Sequence, residues 1–153
     1  VIMDFLEESF PENPLRPADL QERALVNLFC QVPDTYVSPA LFPLFAQVFG
    51  RTASDEDISA HLANMKVQLA MLDNLFVQYG RDKHDTLDLA DCHLAPVMFF
   101  IFDVCASFGE TDPLADCPAL TAWWQWANNN EHISRVLLEL EEGFKAFLAR
   151  MKG

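Results

Sequence analysis

Asp88 and Asp91 stand three residues apart just ahead of a long apolar run, a spacing that suits two different chemistries. Paired carboxylates can divide general acid and general base work between them. The same pair at a helix start makes a capping box, with Asp88 at the N-cap and Asp91 at N3, both accepting from the free N–H groups of the first turn at the positive end of the dipole. The residues favour capping, and Leu87 and Cys92 fall at the N′ and N4 positions of a hydrophobic staple. Burial around the box would make loss of Asp91 costly, because N–H groups would be left unpaired in the core. His61, His84, His93 and His132 form no i, i+4 pair, and no Cys-His spacing suits a metal, so none is expected. Cys30, Cys92, Cys105 and Cys117 are widely spaced in a chain too large to need disulfide staples. They read as reduced, buried and inert thiols of a cytosolic protein, since apolar surroundings and acidic neighbours both disfavour a thiolate.

The element that must position these groups runs from Thr86 to Cys105. From Leu94 to Phe102 no charge interrupts it and apolar groups point every way, which predicts a dry helix in the middle of the core. Pro96 removes one ladder bond and is expected to bend the helix without ending it. Nine residues separate His93 from Asp103, against about 20 for a bilayer span, so no membrane crossing is expected.

The rest of the chain supplies neighbours for that helix. With 153 residues and 51% apolar content it is long and apolar enough for one domain with a core. A formal net charge of −13 repels phosphate backbones and anionic lipid headgroups, so neither nucleic acid nor a membrane surface is expected as a partner. The first residues, VIMDFLEESF, lack a basic region and give no expectation of a signal or transit peptide. They open inside a helical pattern, as a segment of a longer protein would, and Pro11 and Pro14 close that pattern in an extended linker.

A second helix opens near Ala18 and Asp19, with Leu20, Ala24, Val26, Leu28 and Phe29 as its apolar face. Pro33 and Pro39 kink or divide it before Leu41 to Phe49 resume the pattern. Ser54 and Asp57 form another capping box ahead of a helix from Ile58 to Tyr79, and RDKHDT reads as a polar turn. Asp116 and Pro118 mark a helix start, and three asparagines from Asn128 end that aromatic segment. Trp123, Trp124 and Trp126 cannot all face inward. A last amphipathic helix carries Ile133 to Leu148. No alternating strand pattern occurs, so the expected fold class is all-α, a helical bundle around one buried helix.

This order resembles the C-terminal domain of the cytosolic glutathione transferase superfamily. VIMDFLEESFPENPLRP is similar to the last helix and linker of that family's thioredoxin-like domain, and QERA to the start of the first C-terminal helix. DLADCHLAP resembles the capping box and buried sixth helix, and CPALTAWWQW the start of the next. The family more often has Ser or Thr where Asp88 stands, and NNEHISRV replaces its usual arginine-proline segment, which leaves the subclass open.

The resemblance implies residues 1–16 as the end of the thioredoxin-like domain plus linker, and 17–153 as the helical domain. It implies glutathione as co-substrate, held by groups that would precede Val1, so no catalytic residue and no bound glutathione is expected of this chain alone. It implies a pocket for a small hydrophobic electrophile on the first long helix, with Phe29, Val32 and Tyr36 as candidates, and Tyr36 able to donate a hydrogen bond. A cytoplasmic homodimer is implied as well, with Ala46, Phe49 and Met65 as possible members of an exposed strip. The same fold serves non-catalytic relatives in translation assemblies and in the stringent starvation protein of bacterial transcription, whose pattern DCHLAP is like.

Overall fold

The computed structural model describes residues 2–50, 52–83 and 86–151; His84 and Val1, which entered the sequence reading, lie outside them. Helix α1 spans Ile2–Ser9, α2 Leu20–Val32, α3 Ser38–Phe49, α4 Asp55–Gln78, α5 Leu89–Ala106, α6 Pro118–Asn129 and α7 Glu131–Met151. No strand occurs among the described residues, in keeping with the all-α expectation. Helices α2, α3, α6 and α7 pack against α5, while α4 packs against α3 and α6.

The starts of α2, α4, α5, α6 and α7 each have an identifiable side-chain partner for their free N–H groups. Asp19 caps α2 by accepting from the Gln21 and Glu22 amides, one residue past the expected opening. Ser54 and Asp57 form the expected box on α4. At α6 the expectation fails: Asp116 is exposed, and the N-cap position falls to Cys117, whose side chain makes no capping bond. A tight turn, with the Cys117 amide donating to Leu114 O at 2.8 Å, leaves Asp116 one residue outside the helix. The cap comes instead from another element, because buried Asp73 of α4 accepts the Leu120 amide at 2.8 Å. Asn130 ends α6 and its Oδ1 accepts from the His132 and Ile133 amides that open α7.

Between α2 and α3 the chain stays helical but widens into a π turn over Pro33–Val37. Pro33 and Pro39 both lack a donor, and the backbone between them shifts to a five-residue register, the Ser38 amide donating to Pro33 O. Of the two expected outcomes, a kink or a division, the structure shows division: a helix, a wide turn and a second helix.

Pro96 lies inside α5 without ending it. Leu94, Ala95, Met98 and Ile101 are buried, whereas Val97, Phe99, Phe100 and Phe102 are only half-buried. The expectation of a helix dry on every side is corrected: one flank of α5 lies at the edge of the bundle, covered in part by aromatic rings. Phe100 meets Phe144 and Phe45, and Phe102 stacks on Trp124. The membrane reading needs a matching correction, since α5 taken whole has 18 residues with mean hydropathy 1.6, long and apolar enough by length and composition to cross a bilayer. Here it lies among helices, with half of those residues buried.

Two further expectations fail on burial. Met65 is 1% exposed and belongs to the core rather than to a surface strip, while Ala46 and Phe49 do face outward. Leu20 and Ala24 are exposed, so the buried face of α2 is the narrower set of Val26, Phe29, Cys30 and Val32. Trp123 is buried and Trp124 and Trp126 are half-buried, as three adjacent indoles require. Asp73→Ala should destabilise the fold by about 1–2 kcal/mol through loss of the cap on α6. The urea midpoint measures this, and amide exchange at Leu120 should rise with it.

Candidate functional site

The capping box of α5 is built as its sequence predicts and then extended by partners from three other segments. Asp88 takes an extended conformation, φ −131° and ψ 179°, and its Oδ1 accepts the amides of Ala90 at 2.8 Å and Asp91 at 3.2 Å. Asp91 Oδ2 accepts the Asp88 amide at 2.9 Å. The Leu89 amide donates to Leu15 O at 3.1 Å, which ties the linker to the start of α5.

Arg81 supplies the countercharge. It lies in a 3₁₀ turn, Arg81–Lys83, just past Gly80, whose φ of +68° is a backbone geometry glycine adopts without strain. Its Nη1 and Nη2 each donate at 2.8 Å to one oxygen of Asp88, and Nη2 also donates to Asp91 Oδ1 at 2.7 Å. Trp123 Nε1 of α6 donates to that same Asp91 oxygen at 2.9 Å. The guanidinium also sits 5.0 Å from the Phe29 ring centroid, a cation–π distance. Arg81 is 7% exposed and Asp91 0%. Burial works against the guanidinium's charge, but hydrogen bonds to Asp88 and the charges of Asp91 and Asp88 outweigh it and hold the Arg81 pKa above its usual value.

This arrangement is structural rather than acid-base chemistry. Asp88 and Asp91 are bound to Arg81, to backbone amides and to an indole, which leaves neither poised to exchange a proton with a ligand. RDKHDT reads along the chain as polar turn material, a pattern that does not single out Arg81. The signal available was that two carboxylates at the head of a buried helix need a nearby cation, and a fork-shaped guanidinium suits two of them.

Two cavities flank Arg16. One, of about 550 Å³, lies between the linker and α2, with Leu15, Val26, Phe29, Tyr79 and Arg81 in its wall. The other, of about 650 Å³, lies between α1, α2 and the start of α5, with Asp4, Arg16, Asn27, Asp34 and His93 around it. Arg16 pairs with Asp4, and its amide donates to Glu7 at 2.8 Å.

The three candidate pocket residues occupy different surroundings. Phe29 is buried in the wall of the first cavity, edge-on to Phe76 at 5.2 Å. Val32 is buried in the core, and Tyr36 stands 50% exposed on the π turn. The described residues do not bring the three into one cavity.

Among the described residues no group of three or more His, Cys, Asp or Glu side chains could hold a metal ion. All four thiols are free. Burial pushes each up from 9.0 to about 11.

Arg81→Ala should cost about 3–5 kcal/mol, because two buried carboxylates lose their cation. Arg81→Lys should recover less than half, since an ammonium cannot span both; urea midpoints check both variants. The thiols make a pH prediction. Unfolded thiols ionise near 9.0 and the folded ones near about 11, so the folded chain holds more protons between those values and stability falls as pH rises through them. The midpoint should drop from pH 8.5 to 10.5, and drop less in Cys105→Ala.

No family model matches the chain. It is 33% identical over 98 residues to glutathione S-transferase 1 of Dianthus caryophyllus, a match covering 62% of this chain and 44% of that protein. The chain thus spans less than half the length of the relative it matches. A partial relative of that name and an all-helical bundle fit the C-terminal helical domain of the glutathione transferases.

Proposed function

We propose that this chain is the helical domain of a glutathione transferase, with residues 17–153 forming that domain and 1–16 completing the last helix and linker of a preceding thioredoxin-like domain. The observation that carries this reading is the 33% identity to a protein of that name, on a chain whose helix order and α5 capping box are of the expected kind. Glutathione is then the co-substrate, held by the preceding domain. This chain's share is to bind and orient a small hydrophobic electrophile beside the thiol, a contribution of positioning rather than of acid or base.

Phe29, Val32 and Tyr36 are the proposed pocket residues. Tyr36 stands half-exposed on the π turn, where its hydroxyl can reach a ligand, while Phe29 and Val32 are buried. Pairing of two subunits would use the outward strip of Ala46 and Phe49 on α3, without buried Met65. The setting proposed is the cytoplasm, with neither nucleic acid nor membrane as partner, in line with the net charge of −13.

The test is binding and turnover by the longer protein that includes residues ahead of Val1. It should be retained on immobilised glutathione and conjugate an aryl halide, whereas this chain alone does neither. In the longer protein Tyr36→Phe should lower kcat/KM for the electrophile about two- to tenfold, the value of one hydrogen bond, with the KM for glutathione unchanged. Failure of the longer protein to bind glutathione would overturn the enzyme reading in favour of a non-catalytic interaction module.

A further inference from the structure

The π turn interrupts the first long helix, and it meets the start of α5 through an ionisable group. Its hydrogen bonds follow the wide five-residue register. Pro33 and Val37 anchor it inward, whereas Asp34 and Tyr36 face out. Asp34 Oδ1 meets His93 Nε2 at 3.0 Å, across 59 residues of sequence. His93 lies on the second turn of α5, whose first turn is fixed by Arg81, Asp88 and Asp91. The capped end of α5 thus meets the π turn through a histidine–carboxylate contact at the rim of the 650 Å³ cavity.

We propose that His93 and Asp34 form a proton-operated latch that fixes the π turn, and Tyr36 with it, against the start of α5. Histidine is the side chain that ordinarily changes charge between about pH 5 and 8. The protonated ring donates from both nitrogens and makes an ion pair with Asp34. The neutral ring makes a plain hydrogen bond, and only in the tautomer that carries its proton on Nε2. Acidification therefore closes the latch and a rise in pH loosens it.

The other described ionisable side chains around the cavity have partners of their own or are thiols. Asp4 on α1 and Arg16 on the linker are paired with each other. Cys30 on α2 and Cys92 beside His93 remain thiols, held near about 11 by burial. Asp88 and Asp91, one turn earlier on α5, are bound to Arg81. The proposal does not depend on what this chain binds.

Amide hydrogen exchange over residues 34–38 tests it on this chain as it stands, corrected for the intrinsic effect of pH and normalised to α4 amides at Leu69 and Leu72. Protection over the turn should be about two- to fivefold greater at pH 5.5 than at pH 8, the range of an exposed ion pair. Asp34→Asn removes the charge and His93→Gln removes the titration, and both should abolish the difference; both sites lie outside the core and leave folding intact. A wild-type chain with no pH response, or an Asp34→Asn chain that keeps it, would overturn the latch.

Discussion

Arg81 is one buried cation set against two buried carboxylates, and the placing of the helices around α5 depends on that imbalance. Taking the three charges out of water costs several kcal/mol per ion unless every partner is in position. The guanidinium alone cannot satisfy Asp88 and Asp91. The amides of Asp88, Ala90 and Asp91 and the indole of Trp123 supply the remaining donors. Each donor belongs to a specific segment, so the network is complete only when the α4–α5 connection, the head of α5 and α6 meet in one arrangement. The Leu15 carbonyl, accepting from the Leu89 amide, adds the linker to that set.

Hydrophobic burial makes the bundle compact but does not choose among similar packings, because apolar contacts have little directional preference. Polar contacts at the helix ends make the choice. Asp73 holds the start of α6 from α4, and Asn130 closes one helix and opens the next. At the far end of α5 aromatic rings take over, with Phe45, Phe99 and Phe100 gathered edge-on or stacked around Phe144. One end of the central helix is thus fixed by directional charge and the other by ring packing. The two cavities beside Arg16 lie near the polar end.

The likeness to a glutathione transferase covers less than half of that protein's length. The carboxylate pair that sequence spacing made the first candidate for chemistry is fully engaged in holding α5 in place. Tyr36 and Asp34 stand exposed on the π turn, and Asp34 meets His93 of α5.

The helices themselves were legible in the residues. Caps at Asp19, Ser54 and Asp88, the prolines around the turn and the asparagines that close α6 act through bonds within a few positions of themselves, so spacing alone locates them. The Asp88–Asp91 box was read correctly for the same reason. Other features were decided only when distant segments met. Arg81 looks like a turn residue until α5 and α6 close around it. The cap of α6 comes from 47 residues away, and Met65 and Val97 have equally apolar side chains but different burial because of what packs against each. Local hydrogen bonding is written along the chain, whereas burial and charge pairing belong to surfaces that exist only after it has folded.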